Sequence, residues 1–382
     1  MIKPLSEILI LDFSQFLSGP CCTLRLADLG AEVIKVEKPL EGDICRKLYV
    51  SNINIDGSST LFHAINRNKK SFTVDLKDSV GLAQVKKLLR VADVLVHNFR
   101  PGVMERLGLG YDDVKALNPA IVYASISGYG KEGAWANEPG QDLLLQAVSG
   151  LAWLSGNSGD GPVPMGVSVV DILAGTYLAQ GILAALYKKS ITGEGISVEV
   201  NMLESALDYQ FEVFTCFLNN GNQLPQRSAV NSTNAYLAAP YGIYKTSDGY
   251  IAMAMGDIVH IANLIDCEAL KKYIDKTEWF TKKDEIKLLL INHFVTNVTA
   301  YWLSVLEPAD IWCAEVLDYA SLQNHEGYKV LDMEQEIETN TGTEMVTTRC
   351  PIKINGEVLK YSMGAPELGQ HTDDIIQHYS LL

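Results

Sequence analysis

The sequence predicts an α/β protein whose mostly parallel sheet is covered by helices on both faces. Three observations carry this. Short apolar runs alternate with amphipathic stretches from the N-terminus to about residue 200. The runs are rich in Val and Ile and are bounded by Gly, Pro or Asn, as buried parallel strands are. After about residue 225 the texture changes to a hairpin signal followed by helical stretches, which marks a smaller α+β domain. The 382 residues also exceed what a single hydrophobic core usually covers, so two domains are expected.

Taken in order, Ile8 to Phe13 is the first strand. Ser18-Gly19-Pro20 breaks it, and Cys22 to Leu29 reads as a helix closed by Gly30. Glu32 to Val36 is the second strand, with Lys35 and Glu37 read as solvent-facing. This βαβ unit carries Ser-Gly-Pro where a dinucleotide-binding turn would carry G-x-G-x-x-G, so that fingerprint is absent. Ser71 to Leu76 is a strand, Ser79 to Val91 a helix, Asp93 to Phe99 a strand and Ile121 to Ile126 another. Leu143 to Leu154, Ile172 to Lys188 and Met202 to Leu218 read as helices, with a strand at Gly195 to Val200. Asn219 to Asn234 is polar and reads as a linker or exposed loop. Tyr241 to Lys245 and Tyr250 to Ala254 flank Ser247-Asp248-Gly249, a hairpin signal. Helical stretches follow to about Leu317, with Trp279, Trp302 and Trp312 as candidate core anchors. Short strands at Thr343 to Ile354 and Glu357 to Tyr361 precede a final short helix.

A net charge of −15 argues against a general nucleic-acid or anionic-membrane surface, while leaving room for a local basic pocket. No window holds ~18 uninterrupted apolar residues, so a membrane span is not expected. The start of the chain lacks a signal-peptide pattern. Seven scattered cysteines with no C-x-x-C fit reduced, cytoplasmic thiols rather than disulfides or a zinc site.

Ligands of parallel sheets bind at the carboxyl ends of the strands, where the loops at 16–19, 98–102 and 127–130 lie. Asn98-Phe99-Arg100-Pro101-Gly102 is either a plain turn or a ligand loop, with Phe99 against a ring and Arg100 on a phosphate. The cluster Asn66-Arg67-Asn68-Lys69-Lys70 is a solvated face or a phosphate cradle, and Arg46 and Arg106 share that ambiguity. No histidine lies between His97 and His260, which argues against a histidine-based nucleophile site in the centre, and no spacing resembles a metal site. The chemistry-capable groups left there are Asp142 and Asp171. Asp171 follows a Pro-Met-Gly breaker and opens an apolar helix, so it reads either as an N-cap or as a working carboxylate.

Phe13 to Pro20 followed by Leu26 to Glu37 resembles the class III CoA-transferases of CaiB/BaiF type, relatives of the formyl-CoA:oxalate and carnitine CoA-transferases. Asn66 to Ser71, Asp93 to Gly102, Asn118 to Gly130, Gln146 to Gly150, Thr192 to Gly195 and the tail Gly364 to Asp373 continue the resemblance in order. It implies a Rossmann-like large domain from both ends of the chain (1–225 and 331–382), an inserted small α+β domain (226–330) and an interlocked homodimer. It also implies transfer of CoA from an acyl-CoA to a carboxylic acid, with no metal or tightly bound cofactor. The family nucleophile is an aspartate in a G-x-x-x-x-D stretch, which Gly166 to Asp171 matches. CoA contacts carry over to Phe16, Leu17, Ser18, Lys38, Val74, Asp75, Lys77, Asn98, Phe99, Arg100, Arg106, Gln141 and Asp142.

Two departures matter. The glycine-rich lid of some relatives corresponds here to Ala252 to Asp257, which has one glycine. The acyl-CoA racemases of the same fold use a His/Asp pair and read G-H-D where this chain reads Gly140-Gln141-Asp142, which counts against racemisation. A silent CoA-binding paralogue is the remaining alternative.

Overall fold

The structure is a computed structural model and describes residues 3–48 and 53–382. Six strands form the main sheet: β1 Leu9–Asp12, β2 Glu32–Glu37, β3 Lys70–Thr73, β4 Val94–His97, β5 Val122–Ser127 and β6 Ser197–Asn201. All pairs are parallel and the order is β3-β2-β1-β4-β5-β6. The direction of winding reverses between β1 and β4, so a crevice opens at the carboxyl ends of these strands.

Alternation along the strands divides the core. Leu9, Leu11 and Phe13 join Ile34, Phe72 and Leu95 on one face, packed against Val85 and Leu88 of helix α2 (Ser79–Leu89) and Ile375 of the C-terminal helix Thr372–His378. Each such buried side chain contributes roughly 1.5–3 kcal/mol. Helices α1 (Ser18–Asp28) and α3 (Val169–Thr192) pack against each other, α1 on β1 and α3 on β5 and β6. By length and composition α3 could cross a membrane, but here it lies against α1 and the sheet.

Helix α1 begins before the expected Cys22, because Pro20 sits in its first turn, where no backbone N–H is needed. The expected helix from Met202 breaks at Gln210 into α4 (Met202–Tyr209) and α5 (Phe211–Asn219).

The chain divides into two compact units. One gathers Met1–Leu145, Ser168–Tyr209 and Asp332–Leu382; the other gathers Gln146–Val167 and Gln210–Leu331. The sequence places the small domain at 226–330. The second unit contains an antiparallel sheet in the order β9-β8-β7, from β7 Gly242–Lys245, β8 Tyr250–Met253 and β9 Cys313–Glu315. β7 and β8 pair as the expected hairpin, Tyr250 opposite Lys245. Tyr244, Ile251, Phe294 and Trp302 lie in its core, and Trp302 Nε1 donates to the Phe294 carbonyl at 2.8 Å. Trp279 packs at the edge of this core, whereas Trp312 is 60% exposed and anchors nothing. In the first unit, β10 (Glu334–Glu338) and β11 (Glu344–Thr348) form a ribbon. The first of these strands escaped the sequence reading because its glutamates point outward and only Gln335 and Ile337 are buried.

Lys35 and Glu37 are not solvent-facing. Lys35 is fully buried and pairs with Asp43 at 2.8 Å, and Glu37 is bound by Arg46 at 2.8 Å and by the Ser71 hydroxyl at 2.6 Å. Within the cluster 66–70 only Lys70 is partly exposed as a cation, pairing with Glu32 at 2.7 Å; Arg67 and Lys69 form neither a solvated face nor a cradle. Arg67 forks onto Asp28 and Lys69 reaches Asp12, with all four side chains buried. Arg46 likewise faces inward, donating also to the Pro366 carbonyl at 3.1 Å.

Candidate active site

A cavity of about 530 Å³ opens at the carboxyl ends of β1, β4 and β5. Its wall brings together Phe16, Leu17 and Ser18 after β1, Asn98, Phe99 and Arg100 after β4, and Gln141, Asp142 and Asp171. These nine positions of the sequence reading share one site. Lys38, Val74, Asp75, Lys77 and Arg106 do not line it. The first four follow β2 and β3, the next strands along the same edge, and Arg106 is exposed at the end of a helical turn after Gly102. Lys38 pairs with Glu41 at 2.8 Å, and the Val74 side chain belongs to the core.

Two glycine contacts build the site. A Cβ at Gly175 would stand 2.5 Å from the Ser18 carbonyl, so only glycine lets α3 approach the first turn of α1 this closely. Asp171, one turn earlier on α3, is thereby brought to Ser18, whose backbone N–H and hydroxyl both bond its carboxylate. Gly128 and Gly140 meet in the same way, a Cβ on the former standing 2.8 Å from the Cα of the latter. This joins the loop after β5 to the segment that carries Gln141 and Asp142.

Asp171 is not the N-cap of α3. Ser168 holds that position, and Asp171 is the third residue of the helix. The capping acceptor comes from elsewhere: Asp142 Oδ1 accepts from the N–H groups of Val170 at 2.7 Å and Asp171 at 3.2 Å. Asp142 therefore occupies the positive end of the helix and stands beside Asp171. Burial pushes the Asp171 carboxyl up, Asp142 adds to the push, and the Ser18 bonds oppose it, leaving it at about 6. Such a group is still mostly ionised at neutral pH and is more basic than an ordinary aspartate, which favours it as a nucleophile.

The loop before α1 is held from several sides. Asn98 accepts from the Gln15 N–H at 2.8 Å and donates to the Gln15 carbonyl at 2.7 Å, so its amide grips the chain as well as lining the cavity. Phe16 has φ 61°, a left-handed backbone unusual for a residue with a large side chain. Arg100 is exposed, and among the described residues it forms no ion pair. His97 is buried between Phe99 and Tyr123, and burial holds it down at about 4, so it stays neutral. The sequence reading missed Lys35, Asp43 and Leu61 around this loop and cavity; the only local signal was a lysine set between the apolar residues Ile34 and Val36 of β2.

Residues 5–372 match the model of CoA-transferase family III. The human succinyl-CoA:glutarate CoA-transferase is 33% identical over 98% of this chain and 86% of its own length. The formyl-CoA:oxalate CoA-transferase of Rhodopseudomonas palustris is 29% identical over 99% of this chain and 93% of its own. A crystal structure of a CaiB/BaiF family protein from Brucella suis superposes with a TM-score of 0.84 at 27% identity, covering 99% of both chains. With the family pattern running from the first strand to the last helix, the chain belongs to CoA-transferase family III, the class III CoA-transferases, which move CoA from an acyl-CoA to a carboxylic acid.

Proposed function

We propose that Asp171 is the covalent nucleophile of this transfer. The observation that carries this is its place on the cavity wall, raised to about 6 and bonded by Ser18, with no ion pair to a cation among the described residues. A CoA-transferase must conserve the thioester, so water must not be the acceptor. The Asp171 carboxylate attacks the acyl-CoA carbonyl, forming a mixed anhydride and releasing the CoA thiolate. The thiolate attacks the aspartyl carbonyl, giving an aspartyl-CoA thioester and the free donor acid. The acceptor carboxylate then attacks this thioester, and the thiolate it expels attacks the acceptor carbonyl of the new anhydride, which yields the new acyl-CoA and restores Asp171. The walls of the cavity limit water at the anhydride.

The CoA carrier lies along the carboxyl edge of the sheet, with Phe16 to Ser18, Gln141 and Asp142 at its reactive end and Asn98 to Arg100 beside it. Lys38, Val74 to Lys77 and Arg106 meet its nucleotide end, where exposed cations suit its phosphates. The substrates are short acids, dicarboxylates included, as the named activities of the relatives suggest. The chain works as an interlocked homodimer in the cytoplasm, its two compact units serving as large and small domains.

Trapping tests the central step. Enzyme treated with succinyl-CoA and then hydroxylamine or borohydride is expected to carry its modification at Asp171, read by peptide mass spectrometry. Asp171→Ala is expected to lose at least ~10⁴-fold in transfer. Full activity in that variant refutes the assignment.

A further inference from the structure

The loop that delivers Ser18 to Asp171 is gripped by two buried side chains that the chemistry above does not use. Lys35, on β2, donates from Nζ to the Ser14 carbonyl at 2.8 Å and pairs with Asp43 Oδ2 at 2.8 Å. The other oxygen of Asp43 accepts from the Phe16 N–H at 3.2 Å and from the Cys45 N–H at 2.9 Å. Lys35 thus holds the loop at Ser14 directly and at Phe16 through Asp43, and Phe16, with φ 61°, lies next to Leu17 and Ser18. A left-handed phenylalanine persists only where its surroundings over-determine it. A buried lysine–aspartate pair adds little net stability over well-packed apolar side chains, so its evident contribution here is geometry. Asp12 and Glu37 also face Lys35 and keep it charged against burial.

We propose that Lys35 and Asp43 form a clamp that holds Phe16 left-handed and so aims the two Ser18 donors at Asp171, which makes both of them positioning residues for the transfer reaction. This rests on the reading of Asp171 as the nucleophile. The clamp acts through backbone conformation and touches no substrate. Its loss loosens the Ser18 bonds that favour the ionised carboxylate. Asp142 and the Cys21 thiol of α1 remain the titratable groups facing Asp171.

A double-mutant cycle between positions 16 and 43 tests this on the full-length enzyme, with succinyl-CoA as the probe and single-turnover formation of the Asp171 adduct as the readout. Asp43→Asn is expected to slow adduct formation at least ~10-fold and to move its acidic limb to higher pH, with KM for succinyl-CoA changed less than ~3-fold. In a Phe16→Gly background the same substitution is expected to cost less than ~3-fold, because glycine adopts positive φ unaided. Equal losses in both backgrounds, or no loss in either, overturn the clamp. Should Asp43→Asn fail to fold by circular dichroism, Lys35→Arg replaces it in the same cycle, with the same expected and overturning results. A wild-type enzyme that forms no adduct at Asp171 refutes the nucleophile reading itself, which separates the two failures.

Discussion

Asp12 ends β1 and Asp171 stands on α3 at the same carboxyl edge of the sheet, and the protein treats them in opposite ways. Asp12 is fully buried yet held down at about 2, because Lys69 at 3.1 Å, Lys35, Ser14 and Thr23 together outweigh the burial that would raise it. Asp171 is less buried and stands at about 6, because burial and Asp142 outweigh Ser18. The gap corresponds to on the order of 5 kcal/mol in the stabilisation of the charged form. Burial pushes both carboxyls upward; the supply of cations decides the outcome. The buried network around Asp12 pairs its charge with cations, and among the described residues no cation pairs with Asp171.

The comparison can be broken first at Asp12. Asp12→Ala strands the Lys69 ammonium, which burial already lowers to about 8, and is expected to cost ~3–5 kcal/mol in urea unfolding. A loss below 1 kcal/mol would mean that the network is not what holds the edge together. Gly175→Ala acts on the other side, forcing α3 off the Ser18 carbonyl. It is expected to cost ~1–3 kcal/mol and to slow adduct formation, both measurable on one preparation.

The sign of the Asp171 shift gives a sharper test. A folded carboxyl at about 6 binds its proton more tightly than the unfolded chain, whose value is near 3.8. Stability is therefore lost as pH rises from about 4 through 6. Asp171→Asn is expected to stabilise the fold by ~1–2 kcal/mol at pH 7 and by almost nothing at pH 4, seen as a Tm gain confined to the higher pH. The smallest effect belongs to Asp142→Asn, which keeps an oxygen for the α3 cap but removes the facing charge. The acidic limb of adduct formation is expected to move down by roughly half a unit.

The strands of the main sheet were legible because each is a local apolar run whose burial on both faces needs no knowledge of its partners. The nine residues gathered at the cavity were legible through the family pattern and through the rule that ligands meet the carboxyl ends of parallel strands. Lys35, Glu37, Arg46, Arg67 and Lys69 were misread because the sequence shows charge but not its counter-charge. Asp43, Asp28, Asp12 and Ser71 reach them from other elements. Trp312 was misread for the related reason that an aromatic ring looks like a core anchor until the packing leaves it outside.

The sequence by itself determined the α/β class, the family and two candidate carboxylates, Asp142 and Asp171, since periodicity and ordered motifs are properties of the chain read locally. The tertiary structure decided what Asp171 is. It is a third helical residue rather than a cap, bonded by Ser18 through a glycine contact and faced by Asp142. Its charge state depends on burial and on neighbours distant in sequence, and only the folded chain brings those together.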